Sequence, residues 1–188
     1  MREDPAAAAE RFLGLLRPIE RELEVYCRRL VFDPGDVHDA IQNAALRAFC
    51  AFDRYHDDAS FRGWMFKIVT NEIFALNRKR RRIARREVQV EAEQLDSLAE
   101  FEPGVASADL MISWEVLADA LDQEVVAGLE ALNESERAVL LLRAIGGLRY
   151  REIRESLEIP LGSVMGHLHR ARRKMRDAIL RARRRTAT

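Results

Sequence analysis

His169, Arg170, Arg172, Arg173 and Lys174 crowd into six positions, and no acidic side chain follows until Asp177. Cations gathered on one stretch can contact phosphates, and a guanidinium can fork onto a guanine edge. Val164, Leu168, Ala171 and Met175 recur through the same stretch at helical spacing, which defines a face to bury. A helix pinned to a core on one side and basic on the other suits the major groove of duplex DNA. An ordinary amphipathic helix with a solvated polar face has the same pattern.

A second cluster runs Ser60-Phe61-Arg62-Gly63-Trp64-Met65-Phe66-Lys67-Ile68-Val69-Thr70-Asn71 and ends in Asn77-Arg78-Lys79-Arg80-Arg81-Arg82, with Arg85 and Arg86 just beyond. Aromatics beside a basic helix can bind single strands, because bases stack on rings while cations track the backbone. Plain core packing of Phe61 and Trp64, with the arginines as a solvated helix end, is the alternative. Asn71, a two-way hydrogen-bonder, can hold an extruded base or serve as a structural amide.

Catalytic chemistry has no comparable support. The chain has no glycine-rich phosphate loop, no metal-ligand spacing and no nucleophile with a matched base, so neither enzyme activity nor a cofactor is expected. His167 and His169 are two apart and cannot share a helix face, which argues against a metal site. Cys27 and Cys50 form no CxxC pair and are expected to be small helix-packing residues.

The elements that position these groups follow from local signals. Asn133-Glu134-Ser135-Glu136 has the form of a capping box, opening a helix that Gly146-Gly147 ends. Residues Tyr150 to Leu157 make a short helix with Ile153 and Leu157 inward; Glu158 to Gly162 turn, and Ser163 can cap the basic helix. Short helix, tight turn and basic second helix make a helix-turn-helix. Further upstream, Asp33-Pro34-Gly35-Asp36 predicts a turn before a helix from about Val37 to Phe52, with Ile41, Ala44, Ala45, Ala48, Phe49 and Phe52 on or near one side. Ser60 is a plausible cap for the aromatic helix. Leu110, Trp114, Leu117, Leu121, Val125 and Leu129 predict one more helix leading into the C-terminal domain.

The fold class is therefore all-α: two small helical domains joined by an acidic linker. The boundaries expected are 1–86, a flexible linker 87–109 and 110–188. A formal net charge of zero conceals this layout. Residues 1–86 hold 17 bases against 13 acids, residues 87–130 hold 12 acids and no base, and residues 131–188 hold 14 bases against 6 acids. Two basic ends suit a polyanion, and the acidic middle can mimic one, folding back to mask them. No apolar run approaches bilayer length and residues 1–16 lack signal-peptide features, so a cytoplasmic protein without a membrane partner is expected.

An Asp-x-x-Gln helix, a Ser-Phe-Arg-x-Trp helix, an arginine run, a variable linker and a Pro-x-Gly-Ser-Val…Leu-His-Arg-Ala-Arg hairpin, in that order, resemble a bacterial sigma factor. Within that family the chain is similar to the extracytoplasmic-function (ECF) group. The resemblance covers roughly residues 12–86 and 110–180. Its second half alone also resembles response-regulator DNA-binding domains, which leaves a stand-alone regulator as the competing reading.

The resemblance implies a non-enzymatic subunit that docks on core RNA polymerase, melts the minus-10 element of promoter DNA and reads the minus-35 element as duplex. Carried over by position, Asp39, Gln42 and Asn43 fall on the polymerase-docking motif, although Asn43 stands where glutamate is usual and Ala45 where phenylalanine is common. Trp64, Lys67 and Asn71 fall on the helix facing the melted strand, with Arg78, Arg80 and Arg81 following toward the duplex. For the minus-35 element the positions are Ser163, Met165, Gly166, His169 and Arg170, with Arg170 forking to a guanine edge and Arg172 and Arg173 nearer phosphates. Met165 and His167 stand where a cation is usual, Gly166 where serine is usual, Arg149 replaces a cap, Arg154 a small alanine and Glu158 a turn glycine. Such proteins are commonly held by an anti-sigma partner, and apolar helix faces here can accept one.

Overall fold

A computed structural model describes residues 4–55, 60–88 and 123–186. Among these residues the only regular elements are helices: the α-helices α1 (Pro5–Leu16), α2 (Glu20–Leu30), α3 (Val37–Cys50), α4 (Phe61–Val88), α5 (Gln123–Glu130), α6 (Glu134–Ala144), α7 (Tyr150–Leu157) and α8 (Leu161–Thr186), with short 3-10 turns at Arg17–Ile19, Pro34–Asp36 and Phe52–Arg54. The fold is all-α, as the periodicities predict.

The first module packs α1 to α4 around an aromatic cluster. Phe12 meets Phe52 and Phe61 edge-on at centroid distances of 5.3 and 5.9 Å. Tyr26 packs on Phe66 and hydrogen-bonds Thr70 at 2.7 Å, so its buried hydroxyl is satisfied. Burial pushes the Cys27 thiol up to about 12, which keeps it an inert packing group. Cys50, in contrast, is exposed. Ala40, Ala44 and Ala48 are the buried stripe of α3, and their small side chains let α3 approach closely. Phe49, expected on that inner side, keeps 38% of its surface while its ring edge touches Phe12. Helix α3 ends at Cys50, and Phe52 lies in a separate 3-10 turn.

In the second module the capping box forms as predicted: Asn133 Oδ1 accepts from the Glu136 N–H at 2.8 Å, and Glu136 Oε2 accepts from the Asn133 N–H at 3.1 Å. Gly147, at φ +64, lets the chain leave α6. Helix α7 has the predicted bounds, and Ile153 is buried while Leu157 is half-buried. Glu158, in the turn-glycine position, takes φ 55, a left-handed conformation unusual for a residue with a Cβ. Helix α8 opens earlier than expected. The Pro160 carbonyl accepts from the N–H groups of Ser163 and Val164, so Ser163 lies inside the first turn rather than capping it. Val164, Leu168, Ala171 and Met175 are buried as predicted. Gly128 admits Met175 so closely that a Cβ there would sit 2.7 Å from its sulfur.

The two modules share one continuous buried cluster, from Phe12 to Met175, because α2 packs on α6 and α4 packs on α7. Glu87 continues α4, while residues 89–109 of the expected linker and the expected helical stretch 110–121 lie outside the described residues. No helix among the described residues is long and apolar enough to cross a membrane.

Candidate nucleic-acid interface and docking surface

Three surfaces gather the residues singled out by the sequence. On α3, Asp39, Gln42 and Asn43 are all exposed, opposite the alanine stripe. Gln42 Nε2 lies 2.8 Å from His38 Nε2, which orients the amide. Leu46, 62% exposed, continues the same side at i+7 from Asp39 and was missed because it reads as an ordinary core leucine. The α3 surface thus runs from polar to apolar, and spacing relative to Asp39 was the signal available.

On α4, Trp64, Lys67, Asn71, Arg78 and Arg82 follow one another at steps of three, four, seven and four residues and so share a stripe. Trp64 is half-buried among Tyr55, Phe61 and Phe52, with centroids 5.2, 5.7 and 6.4 Å away. Its ring is therefore part core, part surface. Asn71, Arg78 and Arg82 are exposed. Arg80 is on another side of the helix. Its guanidinium forks onto Asp36, Nε to Oδ2 at 2.8 Å and Nη2 to Oδ1 at 2.5 Å, with Asp33 at 3.4 Å. The hydrogen bond to Arg80 holds the Asp36 carboxyl below its usual value despite burial. Arg80 ties α4 to the start of α3.

Two more α4 cations meet carboxylates of the second module. Lys67 Nζ is 3.1 Å from Glu158 Oε1, and Arg81 Nη1 is 3.3 Å from Glu134 Oε2. Nearby, Asn77 Nδ2 donates to Glu134 Oε1 at 2.6 Å and to the Leu30 carbonyl at 3.1 Å, while its Oδ1 accepts from the Phe32 N–H. Arg62 reaches the Gly146 carbonyl and Glu22, each at 3.3 Å. These contacts form a polar seam along the packed helices.

On α8 the cations separate into two groups. Glu136, only 1% exposed in its side chain, receives Lys174 Nζ at 2.8 Å and Arg170 Nε at 3.4 Å. Burial pushes the Glu136 carboxyl up. The Lys174 hydrogen bond, the Asn133 N–H and the Lys174 and Arg170 charges outweigh that and leave it below its usual value. Arg170 also lies 3.1 Å from His167 Nδ1. Burial first, then the Arg170 charge, lowers the His167 pKa, so its neutral ring can accept from the guanidinium. Arg170 and Lys174 therefore face α6, not the outer side assigned to them from sequence. The exposed ridge consists of Leu161, Met165, His169 and Arg173, each four residues from the last. Ser163 and Gly166 are half-buried beside it.

The arrangement is a helical module with an exposed face on α3 and an α4 stripe of tryptophan, asparagine and cations, followed by a helix-turn-helix with a basic second helix. "Sigma-70 region 2" matches residues 15–83 and "Sigma-70, region 4" matches residues 122–175. The chain belongs to the sigma-70 family of transcription initiation factors. Its relatives narrow this to the ECF group. It is 31% identical over 140 residues to the ECF RNA polymerase sigma-E factor of Escherichia coli (strain K12), covering 73% of this chain and 71% of that protein. It is 30% identical over 149 residues to the ECF RNA polymerase sigma factor SigE of Mycolicibacterium smegmatis, covering 79% of this chain and 54% of that protein. Among solved structures, CnrH in complex with the cytosolic domain of CnrY is similar at TM-score 0.60 and 27% identity, with 95% of each chain covered. The sigma factor RpoE of Bartonella quintana, in complex with the anti-sigma factor NepR, shares the fold at TM-score 0.65 and 19% identity, covering 91% of this chain and 95% of that one. The protein is an ECF sigma factor, of a family that directs promoter-specific initiation without itself being enzymatic.

Proposed function

We propose that residues 1–86 form the polymerase-docking and minus-10-melting domain and residues 110–188 the minus-35-binding domain, with the acidic segment 87–109 between them. Asp39, Gln42, Asn43 and Leu46 meet core RNA polymerase through α3. Trp64, Lys67, Asn71, Arg78 and Arg82 meet the melted strand through one stripe of α4, and Arg81 joins them once Glu134 releases it. The exposed α8 ridge, Met165, His169 and Arg173 foremost, meets duplex DNA. Ser163 and Gly166 flank that ridge, and Arg170 supports it. The observation that carries this assignment is the single exposed α4 stripe joining a half-buried tryptophan, an exposed asparagine and cations. Opening a base pair costs stacking energy, and each base held on a ring or in a pocket returns about 1–3 kcal/mol.

The chain works in the cytoplasm without a cofactor, and an anti-sigma protein is its natural inhibitor, by analogy with the complexes of its structural relatives. Permanganate footprinting with core polymerase tests the melting assignment. Asn71→Ala is expected to form the closed complex at wild-type affinity yet lose about tenfold in reactivity of melted thymines. Equal reactivity in the two proteins rejects the role of Asn71.

A further inference from the structure

The first two turns of α8 carry no fixed positive charge. Between Arg154 and Arg170 the chain has neither lysine nor arginine. What these turns expose instead is apolar: Leu161 and Met165 keep 37% and 49% of their surface, one turn apart on the same ridge. The N-terminal residues of a recognition helix are the ones that contact base edges. The guanidinium fork that selects guanine is therefore absent from this end, and the nearest arginine, Arg170, is occupied by Glu136 and His167. One base edge in the major groove offers an apolar partner, the C5-methyl of thymine.

We propose that Met165, flanked by Leu161, packs against a thymine methyl in the duplex element read by α8, so that this position of the element is specified as thymine. The proposal rests on the reading that α8 enters the major groove. Met165 suits the task because its unbranched thioether side chain adapts its shape to the contact. The neighbouring turn then supplies polarity: His169 follows at i+4 with ring nitrogens able to meet a base edge, and Arg173 follows it with a cation for guanine or phosphate. Along the ridge the chemistry passes from apolar to hydrogen-bonding to charged, which orders the element as thymine at the Leu161–Met165 end and polar contacts beyond. Val164 and Leu168 are buried on the other side of the helix and hold Met165 outward.

The test uses the full chain assembled with core RNA polymerase and promoter duplexes randomised across the minus-35 window. The best selected duplex is then rebuilt with deoxyuridine replacing each thymine in turn, which removes the methyl and keeps every hydrogen-bonding group. For the wild-type chain, substitution at one thymine is expected to weaken binding about three- to fivefold, the value of burying one methyl. The same substitution is expected to cost Met165→Ala nothing, and Met165→Arg is expected to move the selected base toward guanine. Met165 is exposed, so both variants fold. If deoxyuridine is tolerated at every thymine, or its penalty is unchanged in Met165→Ala, the proposal is overturned while groove binding by α8 stands. If Met165→Ala weakens assembly with polymerase without altering base preference, the residue meets protein and the proposal fails. If selection returns no preference anywhere in the window, groove reading by α8 fails as well.

Discussion

Replacing Glu136 by alanine tests how the recognition helix is held. Its carboxylate closes the α6 capping box through the Asn133 N–H at 3.1 Å and takes Lys174 at 2.8 Å and Arg170 at 3.4 Å from α8. Losing the reciprocal bond of the capping box to the Asn133 N–H costs about 1 kcal/mol, and a lost hydrogen bond between charged groups costs about 1.5–3 kcal/mol. The more distant Arg170 pair adds under about 1 kcal/mol. Lys174 and Arg170 each keep part of their surface in water and recover some solvation when released, so the expected loss is about 3 kcal/mol. That corresponds to a fall in Tm of about 6–12 °C for a chain of this size. Urea unfolding followed by circular dichroism at neutral pH reads the loss. A destabilisation under about 0.5 kcal/mol refutes the view that Glu136 anchors α8.

Acid provides a second readout of the same group. The folded carboxyl titrates below its ordinary value of 4.5, so its contribution is complete above the unfolded pKa and is lost as pH falls through the folded one. Glu136→Gln keeps the shape but has no charge to lose. Its stability deficit is therefore expected to be largest near neutral pH and to shrink as pH falls below about 4.5. A deficit that stays constant down to pH 3 refutes the charge argument even if the alanine variant is unstable.

Glu158→Gly removes a left-handed strain worth about 1–2 kcal/mol and gives up an exposed pair with Lys67 worth at most about 1 kcal/mol. The expected result is a Tm raised by a few degrees in a thermal scan, and a lowered Tm rejects the strain. Arg173→Ala is expected to weaken promoter binding for all sequences and reduce the slope of log K against log salt by about 0.9. Arg170→Ala is expected instead to lower Tm and leave that slope within about 0.3 of wild type. The reverse pattern in a fluorescence-anisotropy salt titration would return Arg170 to the DNA-facing side.

What the sequence made legible was whatever depends on neighbours within a turn or two. The Asn133–Glu136 box, the bounds of α7 and the buried stripe Val164, Leu168, Ala171 and Met175 all follow from spacings of three and four residues. The side a cation faces was not legible, because its partner is distant in the chain. Arg80 meets Asp36, 44 positions away, and Lys174 meets Glu136, 38 positions away. Periodicity counts Lys174 as polar and sends it outward; a buried carboxylate on another helix draws it back in. Phe49 fails for the opposite reason. The alanines beside it already close the α3 contact, so a large ring has room only at the edge. Of the α8 ridge, Met165, His169 and Arg173 were visible in the sequence, but Leu161 reads as a turn residue until α8 is seen to begin there.

Along the seam between the modules, carboxylates of the second module offset part of the positive charge of α4. Glu134 pairs with Arg81 and Glu158 with Lys67. Glu158 and both cations are substantially solvent-exposed, so each pair contributes under about 1 kcal/mol and is weakened by salt. A polyanion bringing many phosphates at once can displace them. Asn77 is built for the same exchange. Of its three partners, the Leu30 carbonyl and the Phe32 N–H belong to its own module and stay with it when Glu134 leaves. Separation therefore leaves Asn77 hydrogen-bonded within its own module, and the apolar contacts of α4 with α7 and of α2 with α6 are the main resistance left. A seam of exchangeable ion pairs over a self-satisfied asparagine keeps the polar part of the cost of moving α7 off α4 low.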